Sequence, residues 1–186
     1  MQQNNYAAAA PRPPHYHYEV VDLMTMVQGT GRDKTKLITF IVNGEPEAQA
    51  RHRYHVRAKG NNGRPVVYDP SSLQKHDFAR AVNDAMEEMG IRRPFFKGDY
   101  LDTGVIMEAD FFDARPRSHF SANGTLKRKR NPEYPKKKDT DNLEKFAMDA
   151  LQGVVYSNDN MVRNTVNSKN YADGAPYTKF VFRSYA

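Results

Sequence analysis

The stretch KKKDTDNLEKFAMDAL, residues 136–151, decides the fold of this sequence and carries its most unusual charges. Its apolar residues recur with the period of an α-helix and predict a helix over residues 142–152 that ends before Gly153. The residues predicted to face the core are Leu143, Phe146, Ala147, Ala150 and Leu151. Directly before this helix, three lysines run into two aspartates spaced one residue apart. A site that holds a cation and a polyanion together needs both kinds of charge.

The segments on either side predict one further helix and several strands. Residues 71–90 form the other helix, whose apolar stripe consists of Phe78, Val82, Ala85, Met86 and Met89. Strands are predicted over residues 37–42, 105–112, 161–166 and 178–184. One face of the second strand is formed by Val105, Met107, Ala109 and Phe111. The mixed order of strands and helices indicates an α+β fold and not a regular βαβ array.

The N-terminal part differs in composition from the rest of the chain. Residues 1–18 are polar and rich in proline and alanine without any period, which is typical of a disordered tail. Residues 19–27 fit either a strand or a short helix, and residues 29–34 are typical of a linker. We therefore expect a disordered tail over residues 1–35 and a folded domain over residues 36–186.

The composition excludes several classes of protein. The chain of 186 residues has no cysteine, which excludes disulfides and thiolate metal sites and fits a reducing intracellular compartment. No run of about 18 apolar residues exists, so no transmembrane helix is expected. The start of the chain lacks the apolar core of a signal peptide. We expect an intracellular, cytoplasmic protein that neither enters a membrane nor carries a small-molecule cofactor.

The net charge of +6 comes from one segment. Residues 115–138 contain nine Lys and Arg against one acid, Glu133, so they carry +8 and leave about −2 for the remainder. Prolines and a glycine interrupt this segment, which predicts a long loop. Such a concentration of charge is typical of a surface that binds a polyanion. A solvated loop, or a nuclear-targeting run around KRKR at residues 127–130, explains the charge alone equally well.

Asp139 and Asp141 are candidate metal ligands. One aspartate at this place is explained by helix capping, because a helix N-terminus favours negative charge. The second is not explained in this way. Alternate residues of an extended segment point to the same side, and two close carboxylates repel unless a cation lies between them. Mg²⁺ prefers such oxygen ligands and leaves positions for water and phosphate, as a nuclease requires.

Three further charged residues have less specific surroundings. Lys145, one helical turn after Asp141, could neutralise charge on a phosphate or form an ordinary surface ion pair with Asp141. Asp149, on the same helix, could face solvent or bond to a neighbouring loop. Asp159 lies in the segment YSNDNMV, residues 156–162, and by spacing alone it is a turn aspartate that no local pattern joins to the pair.

The segment DTDNLEKFAMDALQGVVYSNDNMV, residues 139–162, resembles the RusA family of Holliday junction resolvases, with a D-x-D-N-L-x-K run and a later acidic turn. NGEPEAQARHRY, residues 43–54, and FFDARPRSHF, residues 111–120, are similar to further parts of that family. The resemblance implies a single compact α+β domain with a mixed sheet and two main helices. It also implies a homodimeric endonuclease that uses Mg²⁺, or Mn²⁺ as a substitute, to make paired symmetric nicks in four-way DNA junctions during recombination and repair.

The resemblance also implies roles for individual residues. Asp139, Asp141 and Asp159 would bind the metal, and Lys145 would support catalysis. Asn158 stands where the family has the first acid of its turn pair. This departure leaves an alternative, a branched-DNA-binding protein of the same fold that cleaves weakly or not at all.

The basic residues become candidates for contacts with DNA phosphates, which would make affinity fall with salt. Recognition would then depend on the shape of the junction and not on base readout. The candidates are Arg51, Arg53, Arg115, Arg117, Lys127, Arg128, Lys129, Arg130, Lys136, Lys137 and Lys138.

Overall fold

The computed structural model of the chain describes residues 18–30, 34–56, 65–98, 104–127 and 134–184. Its elements in chain order are β1 Glu19–Gln28, β2 Thr35–Asn43, β3 Arg53–Val56, β4 Pro65–Tyr68, α1 Ser72–Glu88, β5 Val105–Asp113, α2 Thr140–Leu151, β6 Val162–Tyr171 and β7 Tyr177–Ser184. Five strands form one mixed sheet in the order β1–β2–β7–β5–β6, and β3 and β4 form a separate hairpin. The predicted α+β fold with a mixed sheet and two main helices is confirmed.

Pairing within the large sheet is antiparallel except between β5 and β6. A parallel pair needs a long crossover, and α2 lies on the crossover from β5 to β6. Val105 lies opposite Val162, and Asp113 lies opposite Tyr171. The carboxyl ends of both strands therefore meet at the same edge of the sheet. The start of α2 lies at this edge, because Lys138 contacts Asp113 there.

The core lies between the two helices and one face of the sheet. The predicted inward residues of β5 and α2 are buried, so both core predictions are confirmed. The ring of Phe78 in α1 lies 5.7 Å from that of Phe146 in α2 and 6.0 Å from that of Phe180 in β7, edge to face. Met89, predicted to face the core, is exposed because it follows the last turn of α1. No helix in the described residues is long and apolar enough to cross a membrane.

The sheet begins earlier in the chain than the sequence predicted. Strand β1 pairs along β2, with Val20 opposite Val42 and Val27 opposite Lys36. Residues 19–27, which the sequence allowed to be either a strand or a short helix, therefore belong to a strand. The expected tail over residues 1–35 is wrong for residues 19–28, because β2 supplies backbone partners that a local pattern does not reveal. Residues 1–17 lie outside the described residues.

Two further differences concern a hairpin and the length of a strand. The hairpin of β3 and β4 was not predicted, although Tyr54 pairs with Val67 across it. Strand β6 continues to Tyr171, beyond the predicted end at residue 166. Its second half is polar but pairs with β5 residue by residue as far as Asp113. Backbone pairing, which does not depend on apolar alternation, explains this extension.

Candidate active site at the start of helix α2

Asp139 is the last residue before helix α2. Its backbone is extended, with φ −74° and ψ 138°. Its carbonyl oxygen accepts hydrogen bonds from the N–H groups of Asn142 at 3.2 Å and Leu143 at 3.1 Å. Its side chain is exposed and makes no capping hydrogen bond to the helix. The helix therefore fixes the backbone of Asp139 and leaves its carboxylate for another partner.

Asp141 lies in the first turn of α2. Its Oδ2 accepts a hydrogen bond from Nζ of Lys145 at 3.1 Å. This hydrogen bond holds the pKa of the Asp141 carboxyl below its usual range. Both side chains are exposed, so solvent screens the pair. The surface ion pair that the sequence allowed is formed, and Asp141 is ionised at neutral pH.

The two carboxylates do not lie along one extended segment, as the sequence suggested. The extended backbone ends at Asp139, and Asp141 belongs to the helix. Both instead flank the amino end of α2, where unpaired N–H groups and the helix dipole favour negative charge. The pair offers the oxygen ligands that Mg²⁺ prefers. These residues therefore fit a Mg²⁺ ion that completes its coordination with water and phosphate.

Asp159 lies at the other end of the domain. It begins the short 3₁₀ turn Asp159–Met161, immediately before β6 starts at Val162. Near the far end of that strand, Nζ of Lys169 contacts the carbonyl oxygen of Lys138. A strand rises about 3.3 Å per residue, so roughly 20 Å of β6 separate Asp159 from the start of α2. Among the described residues, no three His, Asp or Glu side chains are grouped so that they could hold a metal ion.

The surroundings of Asp159 agree with this separation. Tyr156 donates a hydrogen bond to the carbonyl oxygen of Met148, at 2.7 Å, and so lies beside the second half of α2. Burial raises the pKa of Tyr156, and the negative charges of Asp159 and Asp149 raise it further. Asp159 is therefore near Tyr156 and away from the amino end of the helix.

Asn158 has a local structural role. Its side chain accepts a hydrogen bond from the N–H of Asn160 at 3.1 Å and caps the turn that contains Asp159. Asparagine and aspartate are about equally good at such positions, because each offers a side-chain oxygen to the backbone. The asparagine at this position is thus explained by the turn itself.

The segment before β3 lies against the first half of α2. The N–H of Gln49 donates to the carbonyl oxygen of Asn142 at 2.8 Å. A hollow of about 300 Å³ is lined by Gln49, Ala50, Arg51, His52, Asn142, Lys145 and Asp149. The structure thus brings Arg51 to the same hollow as Lys145, and Arg53 is exposed at the start of β3.

Lys75 of α1 joins this segment to the helices. Its Nζ contacts Oδ2 of Asp69 and, at 2.9 Å, Oδ2 of Asp149. Gln49 also donates to Asp69, at 3.2 Å. Burial opposes the charge of Asp69, but hydrogen bonds from Lys75 and Ser71 outweigh it and hold the pKa of Asp69 below its usual value. Asp149, whose partner the sequence left open, therefore ties α2 to α1.

Several of the predicted DNA contacts lie near the start of α2. The exposed ones among the loop residues are Arg117, Lys127, Lys136 and Lys137. The guanidinium group of Arg115 lies over the ring of Tyr171, 4.4 Å from its centroid. The contacts predicted at residues 128–130 lie outside the described residues. A second hollow, of about 460 Å³, is lined by Glu45, Asp113, Ala114, Pro116, Ser118, His119, Pro135, Lys136, Lys137, Lys138 and Tyr171.

Lys138 differs from the two lysines before it, because its ammonium group is bound by the protein. Nζ donates to Oδ1 of Asp113 at 2.8 Å, and it contacts Oε2 of Glu45 at 3.4 Å and the carbonyl oxygen of Pro46. Burial opposes the charge of Lys138, but the hydrogen bond and charge of Asp113 outweigh it and raise the pKa of Lys138. Burial also raises the pKa of Glu47 beside this cluster. The ammonium group of Lys138 is thus directed toward these protein acceptors, whereas the sequence analysis predicted that it would contact a DNA phosphate.

Comparison with known protein families identifies the family of this chain. A family model described as endodeoxyribonuclease RusA matches residues 43–179, which include both helices and the candidate residues Asp139, Asp141, Lys145 and Asp159. None of the curated proteins compared with the chain matches it. The family match covers well over half of the 186 residues. The chain therefore belongs to the RusA family of endodeoxyribonucleases, the Holliday junction resolvases.

Proposed function

We propose that this chain is a Mg²⁺-dependent endonuclease that resolves four-way DNA junctions by paired symmetric nicks. The observation that carries the proposal is the pair of exposed carboxylates, Asp139 and Asp141, at the amino end of α2. Membership of the RusA family supports a branched DNA substrate. The basic side chains around the same helix end support binding to a polyanion.

Asp139 and Asp141 would hold the metal ion, with water and phosphate as its other ligands. Mn²⁺ would substitute, because it accepts the same oxygen donors. When bound there, Mg²⁺ would polarise the scissile phosphate and lower the pKa of a bound water. The contribution of the chain is to hold both carboxylates at one helix end and to keep Asp141 ionised. The amino end of α2 and the hydrogen bond from Lys145 to Asp141 do this.

Lys145 would have a second role once DNA is bound. Its ammonium group is exposed and is held by Asp141 through a surface ion pair. A phosphate beside Asp141 would compete for this ammonium group, which would then neutralise negative charge on the reacting phosphate. Arg51, in the same hollow, would supply a second positive charge.

Asp159 would complete the metal site only across a dimer. Within one protomer it lies too far from the pair, since β6 separates it from the start of α2 by roughly 20 Å. In a symmetric dimer, Asp159 of each protomer would reach Asp139 and Asp141 of the other. Two composite sites related by a two-fold axis also account for two symmetric nicks. The proposed enzyme is therefore a homodimer.

The alternative, a branched-DNA-binding protein without efficient cleavage, depends on Asn158. The hydrogen bond from the N–H of Asn160 explains this residue as the cap of its turn. The following Asp159 is present and exposed. Both observations favour the enzyme over the binding protein.

Incubation with a labelled synthetic four-way junction tests the proposal. With Mg²⁺ or Mn²⁺ we expect paired nicks placed symmetrically about the branch point, and with EDTA we expect none. Binding, followed by gel shift, should persist in EDTA because basic side chains contact most of the phosphates. Tight binding without nicks in either metal would instead favour the alternative.

Lys137→Ala tests the phosphate contacts. We expect weaker binding to junctions of any sequence, with the slope of log affinity against log salt reduced by about 1. The matched control is Lys179→Ala, which removes an exposed lysine from the face of the sheet opposite the helices. Fluorescence anisotropy at several salt concentrations gives both slopes. An unchanged slope for Lys137→Ala would exclude Lys137 from the DNA interface.

A further inference from the structure

We infer that Lys138 is a positioning residue that fixes Asp139 for metal binding, and not a contact for DNA. The inference deepens the proposed function and rests on it. Nζ of Lys138 is bound by acceptors from two separate parts of the chain. One is Oδ1 of Asp113 at the end of β5, at 2.8 Å, and the others belong to Glu45 and Pro46 in the segment after β2.

The backbone of Lys138 is also fixed. Its carbonyl oxygen, which belongs to the peptide group that leads into Asp139, accepts a hydrogen bond from Nζ of Lys169 in β6. On the other side, the carbonyl oxygen of Asp139 accepts the first hydrogen bonds of α2, from Asn142 and Leu143. Asp139 is thus held from both directions. Its side chain is exposed, but the backbone that carries it is tied to β5, β6 and α2.

The buried carboxylate of Asp113, which binds Nζ of Lys138, explains why a positive charge is needed at this position. Asp113 is 6% exposed, and its Oδ2 has no hydrogen-bond partner among the described residues. Glu45 is also in contact with the same ammonium group, at 3.4 Å. Without a positive charge at Nζ, a buried carboxylate would lose its compensation and would repel its neighbour. The segment would then move away from the end of β5 and carry Asp139 with it.

Lys137 provides a matched comparison. It precedes Lys138 directly, carries the same charge and is exposed. A DNA contact and a positioning residue are expected to respond differently to loss of that charge. Removal of a phosphate contact lowers junction affinity and the salt slope. Removal of a residue that orients a metal ligand lowers metal affinity, by about tenfold or more.

The test compares Lys138→Met with Lys137→Met in the full-length chain. Mn²⁺ binding is measured by electron paramagnetic resonance of the unbound ion, and junction binding by anisotropy in EDTA. For Lys138→Met we expect the Mn²⁺ dissociation constant to rise about tenfold, with junction affinity changed by less than about twofold. For Lys137→Met we expect the reverse pattern. Lys169→Met serves as the second variant, because it frees the carbonyl oxygen of Lys138 without leaving a buried carboxylate unpaired, and it should also weaken Mn²⁺ binding.

The outcomes separate this inference from the proposed function. Unchanged Mn²⁺ affinity in both Lys138→Met and Lys169→Met, in a chain that binds Mn²⁺ and cleaves junctions, would overturn only the role of Lys138. Loss of junction affinity in Lys138→Met to the extent seen in Lys137→Met, with Mn²⁺ affinity intact, would make Lys138 a DNA contact. Failure of the unsubstituted chain to bind Mn²⁺ would overturn the inference together with the metal site.

Discussion

Substitution of Asp141 by asparagine is expected to lower the rate of junction cleavage by about 10²- to 10³-fold, with junction affinity within about twofold of the unsubstituted chain. Asparagine preserves the size of the side chain and removes its charge, so the oxygen donor set beside the scissile phosphate becomes weaker. The fold should not change. Asp141 and Lys145 are exposed, and their ion pair is screened by solvent. Cleavage of a labelled junction at saturating enzyme, with affinity in EDTA, measures both quantities.

The control for this substitution is Asp84→Asn, which removes an exposed carboxylate from α1. It changes the net charge equally but lies outside the candidate site, so both cleavage and binding should match the unsubstituted chain. Equal cleavage by the Asp141→Asn variant and the unsubstituted chain would exclude Asp141 as a metal ligand. Loss of binding together with cleavage would indicate that the substitution had disturbed the start of α2.

The core of the fold could be predicted from the sequence because its pattern is local. Alternate residues of β5 are buried, as the alternation over residues 105–112 predicts. The sequence left residues 19–27 open between strand and helix because β1 is an edge strand with one buried residue, Leu23. Its register also shifts between Val21 and Met24, where Asp22 adopts φ 53°. This irregularity interrupts the alternation on which a strand prediction depends.

The hairpin of β3 and β4 escaped prediction for a related reason. Tyr54 is 72% exposed and Val67 is 53% exposed, so neither apolar residue marks a face that packs against the core. A pattern of burial cannot reveal an element that buries little. Backbone pairing between β3 and β4 defines it instead.

The pair of candidate metal ligands, Asp139 and Asp141, could be proposed from the sequence, but the different orientations of the lysines before them could not. The three lysines of residues 136–138 are chemically identical, and their environments differ through distant residues. Asp113 and Glu45, which bind Lys138, are 25 and 93 residues away in the chain. The separation of Asp159 from the pair likewise depends on the parallel pairing of β5 and β6, which no local spacing indicates.

A mixture of two inactive variants should recover cleavage if each site is built from two protomers. In an Asp141→Asn homodimer and in an Asp159→Asn homodimer, both composite sites lack one carboxylate. In a mixed dimer, one site carries both substitutions and the other carries neither. Random mixing would restore roughly a quarter of the original number of intact sites. We therefore expect single nicks from the co-folded mixture and few paired ones, measured with junctions labelled on each strand in turn.

The matched control is a mixture of Asp139→Asn and Asp141→Asn. These residues flank the same helix end in one protomer, so each site of a mixed dimer would lack one of them and no cleavage should return. Mixed dimers must be isolated with two different tags, so that absence of cleavage cannot result from failed exchange. No recovery in isolated dimers of Asp141→Asn with Asp159→Asn would contradict the composite site. Cleavage by the Asp159→Asn homodimer itself would remove Asp159 from the metal site and leave Asp139 and Asp141 as the only carboxylates of the proposal.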